Sequence, residues 1–103
     1  MAFDNPDHIG HGVGHDTPEY YAKLKELDGY IGQIIQATKD AGTFDQTIFI
    51  ITADHGGINK GHGGKTMNEM ETPFIICGKN IKKGLNFNES MMQYDVASTI
   101  AYV

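Results

Sequence analysis

The chain has no arginine, a single cysteine and no apolar run long enough to cross a bilayer. Each absence removes a class of function. Its eight basic residues are all lysines, set against 13 acids for a formal charge of −5. Without basic clusters the electrostatic footprint of a nucleic-acid binder is missing, so no polymeric nucleic acid is expected as a partner. The lack of arginine also removes the usual bidentate clamp for phosphate. If the substrate is a phosphate ester, metal ions must supply most of the positive charge. The lone Cys77 excludes an intrachain disulfide and a Cys-rich zinc site. Inside the apolar run Phe74–Cys77 it reads as a small buried hydrophobe. No stretch approaches the roughly 20 apolar residues of a membrane span. The first residues do not form a basic-then-apolar leader. Localisation stays open, because the chain is expected to begin inside a larger protein.

What is present belongs to an ordered chain. Hydrophobic residues make up 40% and charged residues 20%, a globular balance that argues against disorder. A length of 103 residues allows one domain or part of one. The organising stretch is Thr47–Gly64, TIFIITADHGGINKGHGG. Ile48–Ile51 is a short, continuous, β-branched run that reads as a strand buried on both faces. Asp54 and His55 follow at its carboxyl end, where open α/β sheets place their ligands. A Gly-rich loop then carries His62.

Upstream, residues 1–3 are candidates for the end of a strand. Residues 4–16 read as a loop, with Asn5, Pro6 and three glycines. Thr17-Pro18-Glu19 is a helix start: a hydroxyl at the N-cap, a proline whose missing N–H is harmless, and an acid in the first turn. Leu24, Leu27, Ile31, Ile34, Ile35 and Thr38 recur at helical spacing as one apolar stripe. Gly42 is placed to end this helix in the left-handed conformation. Helix 18–41 followed by strand 47–52 makes half of a βαβ unit. Residues 73–77 read as a second strand stopped by Gly78, residues 87–90 as a short third, and the stretch from Tyr94 as a helix with Asp95 at its N-cap. The fold class is therefore α/β.

Four histidines (His8, His11, His15 and His62) lie in glycine-rich loops, and His55 is beside Gly56. Asp7 and His11 are four apart, a spacing that on a helix or tight loop points both side chains at one ion. Asp54 and His55 are adjacent, and where the strand turns into Gly56-Gly57 both can face neighbouring ions. Singly, each histidine fits a capping or surface role. Gathered at one end of a sheet, two aspartates and three histidines are a ligand set for zinc or manganese.

These residues resemble the alkaline phosphatase superfamily, in particular its type I phosphodiesterase and nucleotide pyrophosphatase branch. The resemblance rests on PD-x-x-GH (Pro6, Asp7, Gly10, His11), an amphipathic helix, T-A-D-H-G-G at the strand end, and the GHG around His62. It continues through P-F-I-I-C-G-K and Y-D-V-A-S-T-I-A. It implies that Asp7, His11 and His62 hold one ion, and that Asp54 and His55 are two ligands of a second. It also implies a phosphoester small-molecule substrate, a Thr or Ser nucleophile upstream of Met1, and a chain that is a partial alkaline-phosphatase-like domain. That partial sheet is expected to have about three strands and two helices. Zinc is the expected ion and manganese the alternative, and His15 is a candidate substrate contact.

Three other readings stand beside this one: a non-catalytic metal-binding or interaction module, a sulfatase or phosphomutase branch of the same superfamily, and a plain α/β domain with structural histidines. A sheet missing its neighbours exposes an unpaired edge, so self-association is expected.

Overall fold

The computed structural model describes all residues from Met1 to Val103. Four helices and two strands follow one another: α1 (Asn5–Val13), α2 (Pro18–Asp40), β1 (Ile48–Thr52), α3 (Met67–Met70), β2 (Phe74–Gly78) and α4 (Asp95–Tyr102). A 3-10 turn at Phe44–Gln46 joins α2 to β1. The α/β class is as the sequence implies.

Helix α2 forms for the reasons legible in its residues. The Thr17 hydroxyl accepts from the Tyr20 N–H at 3.2 Å, and Pro18 occupies the first turn. At the other end Gly42 takes φ +69, the left-handed geometry that glycine adopts without penalty. Leu27, at the centre of the stripe, is 7% exposed and is the one buried large apolar residue of the chain.

Strands β1 and β2 pair antiparallel, with Ile50 opposite Ile76 and Ile48 opposite Gly78. The half βαβ reading of helix and strand is not completed: no strand precedes α2, and the neighbour of β1 is antiparallel. A two-stranded ribbon cannot cover itself. Ile48 to Ile51 are half-buried rather than enclosed on both faces, and Ile75 and Cys77 on the outer face of β2 are exposed. Cys77 is therefore not the buried hydrophobe that its apolar neighbours suggest.

Four local expectations are corrected. Residues 4–16 contain the helix α1, which begins with proline in its first turn and carries Asp7 there. Residues 87–90 and 1–3 form no strand. Asp95 is the first residue of α4 instead of its cap; Tyr94 is the cap, and the Asp95 carboxylate accepts from the Met92 N–H at 3.0 Å. The short helix α3 follows Thr66, whose side chain forms a reciprocal capping box with Glu69.

The apolar faces of α2, β1 and α4 look onto an open groove of about 980 Å³, lined by Leu24, Leu27, Ile31, Ile51, Val96 and Ile100. The accessible surface is 8037 Å². A compact monomer of this mass exposes about 5,700 Å². The radius of gyration is 15.3 Å, against about 13 Å for a compact domain of this length.

Candidate metal centre

One turn of α1 and one glycine-rich loop build the centre. Asp7 and His11 are four residues apart on α1, so they share a face, and Asp7 Oδ1 lies 3.4 Å from His11 Nε2. The loop after β1 brings the other donors. His62 Nε2 is 3.4 Å and His55 Nε2 3.9 Å from the same carboxylate oxygen. The rings of His55 and His62 stack at 3.8 Å between centroids.

Asp7 Oδ1 itself is buried and has no hydrogen-bond partner, although the Asp7 side chain as a whole is 43% exposed. The tautomers explain why its neighbours do not satisfy it. His11 Nδ1 lies 2.8 Å from the Lys60 carbonyl, and His55 Nδ1 lies 2.7 Å from the Gly56 carbonyl. A carbonyl only accepts, so each Nδ1 must donate, and in the neutral ring Nε2 is then a lone pair. Lone pairs facing a carboxylate oxygen call for something positive between them.

The donor set fits one divalent ion. Ligating atoms of Asp7, His11 and His62 all lie within 4.8 Å of one another. Tetrahedral zinc with ligands at about 2.0 Å separates them by about 3.3 Å, close to the two 3.4 Å distances to Asp7. Backbone carbonyls behind ligand imidazoles are the usual outer layer of such sites.

Asp54 and His55 form a smaller pair beside this cluster. Asp54 Oδ2 is 3.7 Å from His55 Nε2, and the Asp54 side chain is 87% exposed. These two donors alone do not complete a site. Glutamine 93 steadies the strand end: Gln93 Nε2 donates to the Asp54 carbonyl at 2.6 Å. His15 stands apart from the convergent donors; its Nδ1 is 3.0 Å from the Asn59 carbonyl.

Several supporting groups lie outside the residues that the sequence reading singled out. The carbonyls of Asn59 and Lys60 belong to a tight turn closed by reciprocal bonds between Ile58 and Gly61, both 3.0 Å. Asn59 holds φ +51 there, a conformation asparagine tolerates better than most residues. Glu69 accepts from Gly64 N–H at 2.9 Å and so braces the GHG segment. The Thr66 hydroxyl, Gly64 and the Thr66 N–H hold the Glu69 carboxyl below its usual range. Tyr20, beside the groove, has its phenol pushed up by burial and by the Asp7 charge.

Comparisons with known proteins identify the family of the chain. Residues 1–71 match the family model "Type I phosphodiesterase / nucleotide pyrophosphatase". "Arylsulfatase K" of Danio rerio is 28% identical over 100 residues, covering 84% of this chain and 19% of the relative. The human "GPI ethanolamine phosphate transferase 2, catalytic subunit" is 30% identical over 101 residues, 92% of this chain and 10% of the relative. "GPI ethanolamine phosphate transferase 3" of Schizosaccharomyces pombe is 34% identical over 74 residues, 71% of this chain and 8% of the relative. The chain thus spans no more than 19% of the length of these three relatives. No solved structure matches it. With more than half of its residues inside the family model, the chain belongs to the type I phosphodiesterase and nucleotide pyrophosphatase family of the alkaline phosphatase superfamily.

Proposed function

We propose that these residues are the metal-binding part of the catalytic domain of a metal-dependent phosphoester hydrolase. The observation that carries the reading is Asp7 Oδ1, buried, without a hydrogen-bond partner, and approached by three imidazole Nε2 atoms. Asp7, His11 and His62 would hold one ion, with zinc favoured by the imidazole-rich set and manganese the alternative. Asp54 and His55 would contribute to a second. Ions bound there supply Lewis-acid polarisation and charge neutralisation of a phosphoryl group.

The chain's own residues do the presenting. Lys60 and Gly56 carbonyls fix the rings of His11 and His55, and Gln93 fixes the backbone of Asp54. Asp7, Asp54 and His55 reach the wall of the groove, where a phosphoester is to be received. Neither threonine near the metal loops has a free hydroxyl. Thr66 Oγ1 donates to Glu69, and Thr17 Oγ1 both donates to the Gly14 carbonyl and accepts from Tyr20. The nucleophile would therefore come from elsewhere, and the chain alone is expected to turn over phosphoesters poorly or not at all.

The relatives' names favour a second reading within the same chemistry. Two are phosphate transferases and one a sulfatase, so transfer to an acceptor, or a sulfate ester, stands as the alternative. The surface in excess of a compact monomer, about 2,300 Å², supports a partial domain whose apolar faces are covered by further chain or by a second copy. Metal analysis after dialysis against zinc tests the proposal, together with hydrolysis of bis(4-nitrophenyl) phosphate. One ion bound and lost in Asp7→Asn, with negligible turnover, is the expected result. No bound ion overturns the metal reading; robust turnover lost in Asp54→Ala overturns the missing nucleophile.

A further inference from the structure

We propose that His15 is a positioning residue that docks the Ile58–Gly61 turn onto the end of α1 and so carries His62 to Asp7 and His11. This rests on the metal reading above. The turn meets the α1 segment through three hydrogen bonds, and two of them come from His15. Its backbone N–H donates to the Asn59 carbonyl at 2.6 Å and its Nδ1 to the same oxygen at 3.0 Å. The third runs from His11 Nδ1 to the next carbonyl, Lys60, at 2.8 Å. Two successive carbonyls at the turn therefore receive two histidines one helical turn apart in sequence.

The ring is held as a rivet between two glycines. A Cβ at Gly10 would lie 2.3 Å from it, and one at Gly57 2.4 Å. Gly10 belongs to α1 and Gly57 to the loop, so the imidazole fills the seam between the two parts that supply the ligands. Tyr20 closes the remaining side, with ring centroids 5.2 Å apart. Asp7, His11 and His62 converge without His15. Its contribution is the seam itself. His11 and His62 come from opposite sides of that seam, so loosening it separates the ligands without removing any of them.

The test compares His15→Ala with His15→Asn in the full chain. The asparagine amide nitrogen sits one bond beyond Cγ, as Nδ1 does, so it keeps the donor to Asn59 and deletes Nε2. Zinc affinity is measured by competition with a chromogenic chelator. Hydrogen exchange of residues 56–64 is followed in the metal-free protein, with α2 as the internal reference for folding. His15→Ala is expected to weaken zinc about 10- to 100-fold, the range for groups that orient metal ligands, while one ion still binds. It also speeds exchange at Gly57 and Gly61 without changing α2, and His15→Asn recovers most of both. Unchanged affinity and exchange in His15→Ala overturn the proposal, as does a His15→Asn variant as weak as the alanine, which would give the role to Nε2. Wild-type protein that binds no zinc overturns the metal reading instead, and the exchange data still decide whether His15 docks the turn.

Discussion

Replacing Asp7 by asparagine should change the sign of its effect on stability according to whether zinc is present. In the metal-free chain, Asp7 Oδ1 is a buried acceptor facing imidazole lone pairs at 3.4 Å and 3.9 Å. Leaving such a group unsatisfied costs about 1–3 kcal/mol. The side chain is 43% exposed overall, which places this case at the low end, about 1 kcal/mol. An amide nitrogen in the place of Oδ1 donates into the His11 or His55 lone pair and removes the conflict. For a domain of this size that raises Tm by roughly 4–8 °C. Zinc at 100 times its Kd adds about 2.7 kcal/mol to the wild type, an increment a neutral amide ligand forfeits. Melting curves in chelator should therefore place Asp7→Asn above the wild type, and curves in zinc should place it below. A variant that melts lower in chelator and keeps the full zinc increment refutes both the orphaned acceptor and its role as ligand.

Other outcomes follow from the same contacts. Gly57→Ala drives a Cβ to within 2.4 Å of the His15 ring and should cost about 1–3 kcal/mol in urea unfolding; Gly61→Ala, with open space around it, should stay within about 0.5 kcal/mol. The Glu69 carboxyl is held below its ordinary value by Thr66 and Gly64. Its contribution is thus complete above the unfolded value of 4.5 and lost as pH falls through the lower folded one. Urea midpoints between pH 6 and pH 3 should fall less steeply in Glu69→Gln than in the wild type. Leu27→Ala removes the one buried large apolar side chain and should cost about 2 kcal/mol or more, read by the same unfolding assay. Size-exclusion chromatography should show association that grows with concentration; a clean monomer of 11.3 kDa across the range would mean that the apolar faces need no cover.

Helix α2 was legible because its signals are local: a capping threonine, a proline in the first turn, an apolar stripe and a terminal glycine act within a few residues of one another. Helix α1 was not. Gly10 and Gly12 each weaken a helix by about 1 kcal/mol relative to alanine, so composition reads the segment as a loop. Gly10 is nevertheless required where the His15 ring passes, and Asp4-Asn5-Pro6-Asp7 was the start signal. The capping box Thr66–Glu69 was likewise in plain view, yet its helix of four residues is too short to leave a periodic pattern. Cys77 misled because an apolar run looks the same whether one face of a strand is covered or both.

For the candidate centre, the sequence alone determined the donors and their spacing. Asp7 and His11 meet because residues four apart share a helix face, and Asp54 and His55 stand at the end of a strand whichever neighbour it pairs with. Tertiary structure decided the rest. It set β1 antiparallel to β2, leaned His55 and His62 onto Asp7, and placed the His15 ring in the seam between helix and loop. Those arrangements depend on carbonyls at Gly56, Asn59 and Lys60 and on the space left by Gly10 and Gly57. Every residue has a carbonyl and many glycines have room beside them, so only the folded chain selects which of them matter.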